Sequence, residues 1–405
     1  MRVSTSQFYL QSAQQMSQKS AEVNDQVAYL TSGKRVLTAK DDPLSYGTLT
    51  GFNDDLAHIE KYKGNINQAE NHNSLQEVVF SGAEDILNTM KDHMLRANSG
   101  AMSTDDRQAL AQQTRNSFNQ LMDAANSQNE NGDYIFSGYQ TKQQPFNQNV
   151  DGTVAYQGDS GIRELQVAKN IKIATNQAGD AAFMTVNNAL GDFSANYDTN
   201  TSGIALASAT ITDRNTYNSA MAQGYTFSFA DNNAQSSPDL TVTNRAGESV
   251  FSATPYIAGQ PLAFGGIEVT LSGNPLPGDS FTLTEQADIS IFDTINQAIA
   301  WMDQGVVSTN TEQHQVDYNA TLDQLSTATS HITSRRVDSG MRLQLLESQS
   351  SRHLDTELNL ASGKAAIEDL DFAQAIAQFE QSKIALQASQ QAFSKVQGLS
   401  LFNYI

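Results

Sequence analysis

The sequence predicts an α+β fold: a long antiparallel helical bundle or coiled coil formed by both chain ends, with an antiparallel β-rich domain inserted between them. Three observations carry this. The seven prolines stand at 43, 145, 238, 255, 261, 275 and 277, so residues 44–144 and 278–405 contain none. Helix interiors exclude proline because it lacks an N–H and clashes with the preceding turn, so both tracts are free to be helical. Apolar residues in those tracts recur at three- and four-residue steps, the spacing of one helix face. Between the tracts the period falls to two, as in strands with one buried face.

Taken in order, Tyr9, Ala13, Met16, Ser20, Val23, Val27 and Leu30 form a heptad-like stripe on a first helix. Asp42-Pro43 places a capping carboxylate ahead of a proline at a first helical position. Val79, Ala83, Ile86, Met90 and Ala97 then repeat the helical spacing, and Ser103-Thr104-Asp105-Asp106 has the form of a capping box. Leu165 with Val167, Ile171 with Ile173, the run Tyr225, Phe227, Phe229 and the run Ile267, Val269, Leu271 alternate as strands do. The stretch from Ser272 to Asp279 is turn-rich. Ile291, Ile295, Ala298 and Ile299 lead to Trp301, read as core of a re-entering helix. Asp369 and Asp371 supply negative charge where the last helix begins, which its dipole favours. That helix carries the stripe Phe372, Ile376, Phe379, Lys383, Leu386, Gln390, Phe393. The expected organisation is a terminal region of 1–42 with 369–405, a helical core of 43–146 with 288–368, and a β-rich outer domain of 147–287.

Composition narrows the function. Charged residues make up 17% of the chain and the net charge is −20, which argues against nucleic acid and against an anionic membrane surface. No run reaches about 18 apolar residues, and the opening MRVSTSQFYLQSAQQM lacks the apolar core of a signal peptide. The absence of cysteine excludes disulfides, thiolate zinc sites and thiol catalysis. The histidines, at 58, 72, 93, 314, 331 and 353, form no i, i+4 ligand pair. Ser32-Gly33-Lys34 lacks the upstream glycines of a phosphate loop, and Asp41-Asp42 beside Pro43 reads as a cap in preference to a carboxylate dyad. Residues 147–290 contain no histidine and no nucleophile–base constellation. No catalytic residue, metal or cofactor is expected.

The chain ends are low in charge. Residues 1–32 carry Arg2 and Lys19 against Glu22 and Asp25, and residues 371–405 carry Lys383 and Lys395 against Asp371 and Glu380. Beside its first stripe the last helix has a second apolar line: Leu370, Ala373, Ala377, Ile384, Ala388 and Ala392. A solvated helix keeps a charged outer face; two apolar faces suit a helix with neighbours on several sides. The alternative is polar, frayed tails, and tails that fold only on assembly satisfy both readings. The acid excess lies elsewhere, with 14 Asp or Glu against 5 Lys or Arg in residues 147–290. The expected assembly residues are Met16, Val23, Val27, Leu30, Phe372, Ile376, Phe379, Leu386 and Phe393. Arg335 and Arg336 join them; with Arg342 and Arg352 they lie on one long helix, either as a solvated face or as contacts to acidic surface on an adjacent subunit.

Ser32-Gly33-Lys34-Arg35-Val36 followed by Ala39-Lys40-Asp41-Asp42-Pro43 resembles the turn after the first helix of the bacterial flagellin family. Asn131-Gly132-Asp133-Tyr134-Ile135-Phe136-Ser137-Gly138-Tyr139, continuing to Pro145-Phe146, is similar to that family's passage from helical core to variable domain. Asp369-Leu370-Asp371-Phe372-Ala373 and the closing Leu399-Ser400-Leu401-Phe402-Asn403-Tyr404-Ile405 complete the set. The opening Met1-Arg2-Val3-Ser4-Thr5, the closing residues and the proline after Asp41-Asp42 resemble hook–filament junction members more than filament subunits. The stretch Phe264–Leu283 looks like a module recurring in the family. The resemblance covers 1–183 and 264–405, and 184–263 matches nothing nameable. It implies a structural subunit without enzymatic activity, exported through the flagellar type III channel without a cleaved signal and located outside the cell on the flagellum. It implies self-assembly into a helical ring or zone between a neighbouring hook-associated protein and flagellin, with the terminal helices innermost, and an export chaperone on the C-terminal helix. Filament flagellin, or a coiled-coil adhesin or type III tip protein, are the competing readings.

Overall fold

The computed structural model describes residues 3–217, 224–231 and 237–402. Met1 and Arg2 of the opening motif and Asn403-Tyr404-Ile405 of the closing one lie outside the described residues. The helices are α1 Val3–Ser32, α2 Pro43–Ala97, α3 Thr104–Ala125, α4 Ile291–Asp303, α5 Thr311–Glu368 and α6 Phe372–Phe402. Packing divides the chain into two units, residues 1–64 with 348–405 and residues 65–347.

Within 65–347 the helix starts follow the local chemistry. Ser103 caps α3 by accepting from the Asp106 amide, and the Asp106 carboxylate accepts back from the Ser103 amide, a complete capping box. Ser290 caps α4 through the Asp293 amide at 2.9 Å. The core of these helices is aromatic. Phe80, Phe136, Phe146, Phe183 and Phe292 are fully buried, with neighbouring rings 5.2–6.1 Å apart. Trp301 is core, as expected, and its indole N–H donates to the His314 carbonyl at 2.8 Å.

This core draws in more of the chain than the sequence assigned to it. The hairpin of β1 Phe146–Gln148 and β2 Val154–Tyr156 contributes Phe146 and Val154. A π-helical turn at Asp180–Met184 contributes Ala182 and Phe183. The hairpin of β3 Glu164–Ala168 and β4 Ile171–Ala174 packs Val167 and Ile173 on Ile66 and Ala69 of α2 and Leu346 of α5. Buried carboxamides tie the following segment to α2: Gln76 donates to the Thr175 carbonyl at 2.8 Å and accepts from the Gln177 amide at 2.8 Å. Residues 146–187 thus share the helices' cores, whereas the sequence placed most of them in an outer 147–287 domain.

The remaining strands are β5 Val186–Asn187, β6 Phe193–Thr199, β7 Ala205–Ile211, β8 Tyr225–Ala230, β9 Asp239–Thr243, β10 Ser249–Ala253, β11 Leu262–Phe264, β12 Ile267–Ser272, β13 Ser280–Glu285 and β14 Asp288–Ile289. Five form an antiparallel sheet in the order β10-β9-β8-β13-β6, and three form a second in the order β11-β12-β7. Both sheets bury one core, with Tyr225, Phe227 and Phe229 facing inward as their alternation requires, and Ile267, Val269 and Leu271 likewise. Phe227 of β8 stacks on Phe281 of β13 at 4.5 Å.

Candidate assembly interface

All of the geometry at the chain ends belongs to the unit of residues 1–64 and 348–405. At its C-terminal end α1 stops at Gly33, whose φ of +69° admits glycine far more readily than other residues. The Gly33 amide closes the last helical turn on the Tyr29 carbonyl at 2.9 Å. Asp41 organises the connecting turn: it accepts from the amides of Leu37 (3.0 Å) and Thr38 (2.8 Å) and from the Tyr29 hydroxyl (2.7 Å). The Tyr29 bond is the main reason the Asp41 carboxyl lies below its usual range, and it pushes the Tyr29 phenol up to about 12. Asp42 then caps α2 through the Ser45 amide at 3.1 Å, with Pro43 at the first helical position. So the Asp-Asp-Pro motif divides its labour: one carboxylate builds the turn and the next starts the helix.

A second break, at 369–371, separates α5 from α6, and Asp371 caps α6 by accepting from the amides of Ala373 (2.9 Å) and Gln374 (3.1 Å). The two breaks are joined. Lys34 and Asp369 form an isolated antiparallel bridge, closed by Arg35 N–H to the Glu368 carbonyl (2.7 Å) and Leu370 N–H to the Gly33 carbonyl (3.0 Å). The Arg35 guanidinium donates to the Ile367 carbonyl at 2.9 Å, and Lys34 pairs with Glu368 at 2.6 Å. This clasp unites residues more than 330 positions apart, and the sequence had marked only its borders.

Beyond the clasp α1 runs along α6, with Tyr9 edge-on to Phe393 at 5.9 Å between ring centres. Met16, Val23 and Leu30 of α1 are half-buried, as are Phe379, Leu386 and Phe393 of α6, and Ala375 is buried. The other expected positions fall outside this seam. Between the shared α1 positions the half-buried residues are Ser12, Lys19 and Gln26, whereas Ala13, Ser20 and Val27 are exposed. On α6, Ser382 and Ser389 are half-buried, while Phe372 and Ile376 lie open, at 53% and 52% exposure. At positions 12/13 and 19/20 neither neighbour is apolar enough to decide the stripe, and at 26/27 the seam takes Gln26 and leaves the apolar Val27 in water. The second line of α6 is also open: Ala373, Ala377, Ala388 and Ala392 are exposed, and Ile384 is 62% exposed.

Arg335 and Arg336 are not part of this surface. Both lie on α5 within 65–347, where Arg336 bonds Glu77 (2.7 Å) and Glu84 (3.2 Å) of α2. Arg335 is half-buried between Asp338 (3.9 Å) and His331 (3.4 Å). The acidic partners expected on an adjacent subunit are, for Arg336, on its own chain. Among the described residues no group of three His, Cys, Asp or Glu side chains could hold a metal ion, and no helix is long and apolar enough to cross a membrane.

Known proteins match both ends. The family model for the bacterial flagellin N-terminal helical region covers residues 3–141, and that for the C-terminal helical region covers 322–405. The flagellar hook-associated protein 3 of Salmonella typhimurium is 33% identical over 152 residues, 38% of this chain and 48% of that protein. Its namesake from Escherichia coli is 28% identical over 186 residues, 46% of this chain and 58% of that protein. The chain thus spans about half the length of these curated relatives. The crystal structure of a flagellar junction protein from Legionella pneumophila aligns with a TM-score of 0.67 at 27% identity, covering 80% of this chain and all of that one.

Proposed function

The chain belongs to the bacterial flagellin family, and from that premise we propose that it is a structural subunit of the bacterial flagellum that joins hook to filament. It works by geometry, without catalysis. The observation that carries the reading is the open apolar face on a clasped pair of terminal helices that hold few charges. Exposed in a lone chain, Val27, Phe372, Ile376 and Ile384 leave apolar area in water that neighbouring copies can cover. Neutral helices enter such an interior without stranding charge. A contact between unlike faces, repeated with a rotation that does not close, builds a helical array.

The partners in this reading are further copies of the chain, a neighbouring hook-associated protein on one side and flagellin on the other. The subunit leaves the cell through the flagellar type III channel, with an export chaperone covering α6 until assembly. Hook-associated protein 3 is the name of its curated relatives, and the role is inferred from them together with the open face. Immunogold labelling of isolated flagella tests it. Label confined to the filament base is the expected result. Label along the filament length makes the chain a filament flagellin, and label absent from flagella removes the proposal.

A further inference from the structure

Between α3 and β1 the chain carries Asn131-Gly132, its one Asn-Gly pair. Both residues are exposed, on a turn organised by Asn129. The Asn129 Oδ1 accepts from the amides of Asn131 (2.9 Å) and Asp133 (3.0 Å), and the Asn129 carbonyl accepts from the Gly132 amide at 3.0 Å. Gly132 has a φ of +70°, and a Cβ built on it would meet nothing within 4 Å, so the main chain there is unobstructed. Lys142 reaches back over this turn. Its Nζ donates to the Asn131 carbonyl oxygen at 3.1 Å and pairs with Asp133 at 2.8 Å.

An asparagine followed by glycine is able to close a ring on itself, because glycine puts no side chain in the way and has the widest backbone freedom. The Gly132 nitrogen gives its proton to solvent and forms a bond to Asn131 Cγ. The Cγ–Nδ2 bond breaks, and Nδ2 takes a proton from water and leaves as ammonia. A second water then opens the succinimide: cleavage at Cγ gives aspartate, and cleavage at the main-chain carbonyl gives isoaspartate. The first step is the hard one, since a peptide N–H is a very weak acid. Once the proton has gone, the negative charge is shared with the oxygen of the same peptide unit. That oxygen is the Asn131 carbonyl on which Lys142 rests. A hydrogen bond to the charged form favours that form, and charge-assisted bonds are about twice as strong as neutral ones. The bond from Gly132 to the Asn129 carbonyl opposes the step, but it is a single neutral bond at an exposed turn.

We propose that Asn131 is a site of spontaneous deamidation in the folded chain, promoted by the Lys142 ammonium on the carbonyl oxygen of its peptide unit. The product carries a new carboxylate beside Asp133. Its isoaspartyl form also adds one carbon to the main chain between the two amides that Asn129 Oδ1 holds. The full chain is incubated at mildly alkaline pH, folded and unfolded in guanidinium chloride, and the peptide containing residue 131 is followed by mass and by isoaspartate content. Conversion at Asn131 is expected to be faster in the folded chain than in the unfolded one. Lys142→Gln should slow it about threefold or more, and Lys142→Arg, which keeps the charge, should retain most of the rate. The Lys142 side chain is 72% exposed, so neither replacement disturbs the core. Lys142→Gln also releases Asp133, and if looseness of the turn alone governed the reaction this variant would be faster than the wild type. Faster conversion of the unfolded chain, an unchanged or raised rate in Lys142→Gln, or no conversion at Asn131 in the folded chain would each overturn the proposal.

Discussion

Replacing Ile376 and Ile384 by serine tests whether the open face of α6 is covered on assembly. These side chains are 52% and 62% exposed in the single chain. Full burial of an isoleucine is worth about 1.5–3 kcal/mol, so slightly more than half of that remains to be gained by contact with neighbours. For the two residues together the loss is about 2–3 kcal/mol per subunit, which at about 1.4 kcal/mol per tenfold is roughly a 30- to 150-fold weaker incorporation. The single chain itself should be nearly indifferent, since exposed substitutions change stability by about 0.5 kcal/mol or less and isoleucine and serine have similar helix propensities. The assay is competition: differently tagged wild-type and double-variant chains are expressed at equal levels, and their ratio in purified flagella is divided by their ratio in exported protein. A depletion of at least tenfold is expected, with unchanged thermal unfolding of the isolated variant. Equal incorporation refutes the reasoning, because the face would then remain in water in the assembly.

Other perturbations probe the parts beneath. Gly33→Ala should strain the clasp by about 1 kcal/mol through its positive φ alone, because an added Cβ meets the Phe372 ring only at an ordinary 3.5 Å. Gly33→Asn should cost less, and amide exchange at Arg35 and Leu370 should rise in that order. Phe80→Ala removes a fully buried ring from the aromatic core and should cost about 3–5 kcal/mol in denaturant unfolding; a loss below about 1 kcal/mol would contradict the packing described. Burial, above all, holds His72, His93, His314 and His331 below the ordinary histidine value. Their unfolded forms therefore take up protons first as pH falls through about 6.5, so the stability of residues 65–347 is full above that value and declines below it. Thermal unfolding between pH 7.5 and 5.5 should show a falling midpoint, and a flat or rising one would contradict the assignment.

Much of this was legible because it is local. The cap residues Asp42, Ser103 and Asp371 act on amides two or three positions away, so sequence spacing alone locates the helix starts. The inward alternation at Tyr225, Phe227 and Phe229 likewise needs only the pleat. What escaped depends on distant partners. Val167 and Ile173 read correctly as strand residues, but their burial against Ile66 and Leu346 is a matter of packing across the chain. The clasp of Lys34 with Asp369 leaves no trace in either segment beyond the turn chemistry around it. β7 carries the pattern Ala-Leu-Ala-Ser-Ala-Thr-Ile, whose small residues give almost no contrast between faces. On α1 the seam residues Ser12, Lys19 and Gln26 are polar, so the seam is only half-apolar, and a stripe one position over, through Val27, looked as good.

The central claim is that α1 and α6 gain full stability only when other copies surround them, and hydrogen exchange measures this directly. In a dilute monomer, amides of residues 9–30 and 376–393 should exchange rapidly while those of the aromatic core around Phe80 and Phe292 stay protected, and in isolated flagella both sets should be slow. Slow exchange along α1 and α6 in the dilute monomer would contradict the account.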